Sequence, residues 1–118
     1  MRAWRIKLGG SLALAALAAA IVQAADNPTN DALLKRSQVE QKRALERVVG
    51  DNCRAVRVFF AGQGVRGFSR GRAFWSVACA DGRKFFVMLS PNQGEDRVME
   101  CKMARALGMT PCFTKIRE

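Results

Sequence analysis

The sequence predicts an α+β domain, with one N-terminal helix packed on a three- to four-stranded antiparallel meander, a short C-terminal helical turn and two disulfides. Three observations carry this. The stretch from Arg72 to Cys101, RAFWSVACADGRKFFVMLSPNQGEDRVMEC, sets two apolar runs about Asp81-Gly82. Asp-Gly in that setting signals a two-residue hairpin, because both central residues of a type I′ turn take φ > 0. Upstream of it lies a segment of helical periodicity, and four cysteines occur in a chain of 118 residues.

The first residues, MRAWRIKLGGSLALAALAAAIVQAAD, carry Arg2, Arg5 and Lys7, then an apolar run, then small residues. That is the pattern of a secretory signal, with cleavage expected after Ala24, or next after Ala25, so that residues 1–24 are removed. The apolar run Gly9–Val22 falls short of the roughly 20 residues a membrane-spanning helix needs. Export then places the remainder in the periplasm or outside the cell. Residues 25–30 read as a polar tether and 31–118 as one small domain.

Thr29 or Asn30 is the expected N-cap of the helix, with Asp31 in its first turn. Leu33, Leu34, Ala44, Leu45, Val48 and Val49 fall on one half of the wheel, although Ser37, Gln38 and Gln41 interrupt the stripe. Gly50 is placed to end the helix, and Asp51-Asn52 turns the chain into the next strand.

From Cys53 to Ala61 the residues alternate, with Val56, Val58 and Phe60 on one side and Ala55, Arg57 and Phe59 on the other. The following Gly62-Gln63-Gly64-Val65-Arg66-Gly67 spells G-x-G-x-x-G after a strand. A dinucleotide site needs its last glycine to open a helix, and here Phe68–Arg72 runs into another strand. The plainer reading is a flexible glycine loop joining two strands. Its arginines, Arg66, Arg70 and Arg72, and its backbone amides could still present donors to an anion.

A two-residue turn at Asp81-Gly82 would pair Ala80 with Arg83, Ala78 with Phe85, Ser76 with Val87 and Phe74 with Leu89. Phe74, Phe85, Val87 and Leu89 would then share one face, and Trp75, Val77, Phe86 and Met88 the other. Ser90–Gly94 is a turn cluster, Arg97–Cys101 a short edge strand, and Lys102–Leu107 one or two helical turns stopped by Gly108. With one long helix available, one apolar sheet face is expected to be partly free, unless the C-terminal segment with Met103, Leu107 and Phe113 covers it.

Cys53, Cys79, Cys101 and Cys112 lie beyond the signal, and no two of them form the close pair that zinc, thioredoxin-like redox chemistry or covalent haem attachment uses. In a small exported chain they read as two disulfides, each contributing about 2–4 kcal/mol. Three pairings are open. The favoured one joins Cys53 to Cys79, where one strand begins beside the end of its neighbour, and Cys101 to Cys112.

The chain has 20 Lys and Arg against 10 Asp and Glu, a net charge of +10, with no histidine and no tyrosine. Such a field favours anionic partners or reflects solubility alone. The acids are isolated in turns and the serines have no evident base beside them, so an enzyme is the least favoured class, with Lys or carboxylate chemistry left open. No cofactor, metal or dinucleotide is expected.

The order helix, strand, strand, acidic-Gly turn, strand, turn, strand, with FWSVACADGRKFFVMLSPNQGEDRV at its heart, resembles the small exported PepSY-type domains over Val39–Met99. The four cysteines, the Gly/Arg loop and SPNQG depart from that pattern, and no functional residue carries over. The resemblance implies a module that binds or restrains a partner protein in the envelope. The alternative is binding of a polyanion, namely a cell-wall polymer, anionic lipid or nucleic acid, through Arg57, Arg66, Arg70 and Arg72 with Phe74 or Trp75 as stacking groups.

Overall fold

A computed structural model describes residues 27–92 and 94–117, so the signal and the start of the tether lie outside the described residues. In chain order the elements are α1 (Pro28–Leu34), α2 (Gln38–Val49), β1 (Ala55–Gln63), a 3-10 turn (Gly67–Ser69), β2 (Ala73–Cys79), β3 (Lys84–Leu89), β4 (Arg97–Glu100) and α3 (Cys101–Ala106). The four strands form one antiparallel meander in the order β1-β2-β3-β4. The α+β expectation therefore holds, and both disulfides, Cys53–Cys79 and Cys101–Cys112, form as favoured.

Two helices stand where the sequence suggested one. Ser37 takes extended backbone, and its Oγ accepts from the Glu40 backbone N–H while Glu40 accepts from the Ser37 N–H, each at 3.2 Å. This reciprocal capping box satisfies donors that only a helix start leaves orphaned, so the chain restarts there. Gln41 Nε2 donates to the Leu33 carbonyl at 3.1 Å and serves the end of α1. The polar residues that interrupted the apolar stripe are the ones that make the joint.

Residues 27–30, expected in a polar tether, are instead fixed in the fold. Asn27 caps α1 by accepting from the Asn30 N–H, and its Nδ2 donates to the carbonyls of Gly71 and Leu89 at 3.0 Å each. Pro28 suits the first helical position because no N–H is needed there. Asn30 is buried and its Oδ1 accepts from Trp75 Nε1 at 2.7 Å, giving the indole its partner inside the core.

The hairpin register is corrected by one residue: Phe74 lies opposite Met88, Trp75 opposite Val87, and Val77 opposite Phe85. The turn contains three residues, not two. Gly82 N–H donates to the Cys79 carbonyl at 3.0 Å and Cys79 N–H to the Arg83 carbonyl at 2.8 Å. Gly82 alone takes positive φ, at 94°, while the Asp81 carboxylate accepts from the Arg83 N–H two residues on. That is a type I turn closed by a glycine bulge, in place of type I′. The one-residue slip exchanges the faces of β3.

Trp75, Val77, Phe85, Val87 and Leu89 consequently share the face under α1 and α2, joined by Leu33, Leu45 and the Cys53–Cys79 bridge. Phe74, Phe86 and Met88 share the other with Ala61 and Ala104. A bulge between Ala55 and Arg57 turns Ala55 to the helix face and leaves Val56 exposed, contrary to simple alternation.

The second face is covered, which overturns the expectation of spare apolar surface. Met109, Cys112 and Ile116 of the C-terminal segment pack on it, whereas Met103 and Leu107 are exposed. Phe113 N–H donates to the buried Ser76 Oγ at 2.9 Å. Ile116 N–H donates to the Ala61 carbonyl at 3.0 Å and Lys115 Nζ to the Phe60 carbonyl at 3.0 Å, so the tail occupies part of the β1 edge. At Gly62 a Cβ would meet Ile116 Cγ1 at 2.9 Å, and φ there is +136°. Glycine is needed for the tail to lie so close.

Candidate functional site: a basic loop with an apolar tip

The hook from Gly62 to Arg72, made of the end of β1 and the loop into β2, carries three arginines and no acidic residue. It is closed by its own hydrogen bonds, not slack as a glycine loop would suggest. At its neck Gly64 N–H donates to the Arg72 carbonyl and Gly71 N–H to the Gly64 carbonyl, both at 2.9 Å. Any Cβ at Gly64 would overlap the Ser69 carbonyl, so only glycine permits this approach. Beyond the neck, Gly67 (φ 62°) opens the 3-10 turn and Ser69 Oγ donates to the Arg66 carbonyl at 3.0 Å. Gly67 opens no α-helix, and the geometry that a dinucleotide fingerprint needs is not formed here.

Arg72 is the brace of this hook. Its Nε donates to the Phe68 carbonyl at 2.9 Å and its guanidinium lies 4.3 Å from the centre of the Phe68 ring. The ring is thereby presented outward, with Phe68 77% exposed and Val65 64% exposed. Arg66 and Arg70 are exposed beside them. Two solvent-facing apolar side chains thus stand among cations.

At the foot of the loop is an open cleft of about 250 Å³, lined by Phe74, Phe86, Met109 and Ile116 together with Ser69 and Arg117. Phe74 and Phe86 stack beneath it with ring centres 5.6 Å apart.

The remaining sequence candidates do not gather here. Trp75 is 2% exposed under the helices with its Nε1 committed to Asn30, and Phe74 is 7% exposed in the opposite core, so neither offers an open ring face for stacking. Arg57, opposite Ala78 near the other end of β1, places its guanidinium 4.2 Å over Phe113. An extended chain puts it roughly 20 Å from Gly64. Val65 and Phe68 are what sequence reasoning passed over. The available signal was two large apolar residues inside a Gly/Arg loop that had no periodicity to bury them.

At the other end of the sheet one arginine is paired with two carboxylates. Arg83 meets Asp51 at 2.9 Å and Asp81 at 2.7 Å. The Asp81 carboxyl is held below its ordinary value, first by the Arg83 backbone N–H and then by the Arg83 side chain. Among the described residues no helix is long and apolar enough to cross a membrane, and no group of three or more His, Cys, Asp or Glu side chains is placed to hold a metal. Comparison with protein families finds no family model that matches, and comparisons with curated proteins and with solved structures find no match to this chain.

Proposed function

We propose that this is an exported protein that acts by binding, and that the hook from Gly62 to Arg72 takes an anionic partner. Export is supported by the signal-like residues 1–24 together with two disulfides in so small a domain, which suit an oxidising compartment such as the periplasm. The observation that carries the binding reading is the contrast in charge pairing. Asp51 and Asp81 at one end of the sheet engage Arg83, whereas Arg66 and Arg70 stand exposed on a loop without a single carboxylate. Fixed guanidinium groups on a braced loop suit phosphate or carboxylate recognition.

The protein-binding or inhibitory module implied by the PepSY resemblance drew its physical support from a spare sheet face. With the C-terminal segment lying on that face, the basic hook is the better-supported surface. Replacing Arg66 and Arg70 by Ala tests this, because Arg72 braces the loop and is best left in place. Retention of the mature protein on a sulfated or phosphorylated polymer should fall, with shallower salt dependence, while the thermal transition stays within about a degree or two, since exposed charges contribute little to stability. Unchanged retention would reduce the loop to a connector.

A further inference from the structure

We propose that the anionic partner is a phospholipid bilayer, with Phe68 and Val65 entering the interfacial region while Arg66 and Arg70 engage headgroup phosphates. This rests on the basic-hook reading and adds to it the one feature that charge leaves unexplained. A soluble polyanion makes use of arginines but gives no favourable environment to an exposed valine. A nucleobase could stack on the face of Phe68 that Arg72 leaves open, but Val65 again has no role. A lipid interface accommodates the whole set: apolar side chains at the acyl boundary, cations at the phosphate level and an aromatic ring between them.

A cleft also lies behind the tip. Lined by Phe74, Phe86, Met109 and Ile116, it opens beside Ser69, and Leu107, next to the cleft-lining Gly108, is 64% exposed. Arg117 borders the same cleft. The hook, through Ser69, and the segment after α3, through Gly108 and Met109, therefore border one cleft with Arg117 beside it. The net charge of +7 that residues 25–118 keep draws the hook to a negative surface before any insertion.

The test uses the mature, disulfide-bonded chain and two ligands in parallel: vesicles of phosphatidylcholine with about one-third phosphatidylglycerol, read by flotation, and heparin, read by the salt needed for elution. Wild type should float with the anionic vesicles and remain unbound to pure phosphatidylcholine. The variant V65S/F68S should lose flotation by about tenfold, on the scale of two apolar side chains only partly withdrawn from water at the interface, while keeping its heparin retention. R66A/R70A should weaken both, by about fivefold per arginine at the vesicle surface. Both pairs are exposed, and an unchanged thermal transition checks that each variant is folded. Flotation of V65S/F68S equal to wild type, or no flotation of wild type, would overturn the bilayer as partner, and equal binding to uncharged vesicles would overturn the headgroup role given to Arg66 and Arg70. In each case heparin retention that falls in R66A/R70A leaves the basic-hook reading standing. Retention that does not fall removes that reading as well.

Discussion

The two faces of one sheet are closed by different means. On the helix side, α1 and α2 cover Trp75, Val77, Val87 and Leu89, and buried Asn27 and Asn30 rivet the first turn of α1 to Gly71, Leu89 and Trp75. On the other side the cover is α3, six residues long, followed by an irregular tail. A helix of that length does not hold itself together in water. It is pinned by the Cys101–Cys112 bridge, by Phe113 N–H on Ser76 and by Ile116 N–H on Ala61. Each side has a disulfide, but Cys53–Cys79 lies within the packed helix-side core, whereas Cys101–Cys112 ties down the cover itself.

The largest effect should come from the packed side. Trp75→Ala empties a fully buried site and leaves Asn30 Oδ1 without its donor, so a loss of about 3–5 kcal/mol is expected in urea denaturation. A loss under about 1 kcal/mol would mean that the helix side is not the principal core.

The two disulfides differ in what they hold. Their sequence separations are 26 and 11 residues, for Cys53–Cys79 and Cys101–Cys112. Loop-closure entropy gives about 3.5 kcal/mol for the first and about 2.8 kcal/mol for the second. The diagnostic difference is spatial. C53A/C79A should lower the stability of the whole domain, whereas C101A/C112A should first release the amides of Phe113 and Ile116 to hydrogen exchange while Trp75 and Val77 remain at the global rate. Uniform acceleration across both faces in C101A/C112A would show that the tail is held by packing, not by its bridge.

How far the sequence carries the structure follows from the same contrast. Strand existence, the four-strand order and both disulfide pairs are legible, because Cys53 and Cys79 sit at matching ends of adjacent alternating runs. The register is not. Alternation fixes register when one face is polar, but β2 and β3 are apolar on both, so exchanging Phe85 and Val87 with Phe86 and Met88 leaves no charge buried to object. Only the turn decides, and the Asp81 carboxylate on the Arg83 N–H selects the three-residue form. The helix break is written in the spacing of Ser37 and Glu40, since Ser-x-x-Glu is a start signal, but Ser37, Gln38 and Gln41 read equally as polar interruptions of one longer helix. At the candidate site the arginines are visible, but which rings are exposed is decided by distant partners. Trp75 has Asn30, Phe74 has Phe86, and Phe68, 77% exposed, has Arg72.

Within the helix cover, the joint between α1 and α2 is the least buried part and the next target. Ser37→Ala removes the cap of α2 and should cost about 1 kcal/mol, whereas Ser37→Gly should cost only about a few tenths of that unit. Both changes should leave the protection of Phe113 and Ile116 untouched. If they loosened the tail as much as α2, the two covers would be coupled through the sheet.

The smallest effect is its pH dependence. Glu40 has its carboxyl held below the ordinary value, first by the hydrogen bond from the Ser37 backbone N–H and then by the Ser37 side chain, with Arg36 and Arg43 adding lesser attraction. A depressed carboxyl is one whose ionised form the fold favours. Its contribution is therefore complete above the unfolded value and is lost as pH falls through the folded one. Glu40→Gln should thus be slightly less stable than wild type near neutrality, and the gap should close as the medium is acidified below the usual glutamate range. Because the side chain is fully exposed the gap is small, and added salt should narrow only the part owed to Arg36 and Arg43. Thermal transitions of the two proteins across that acid range, at low and high salt, measure it. A gap that stayed constant with pH would assign the stabilisation to helix propensity at position 40 and not to the charge on the capping carboxylate.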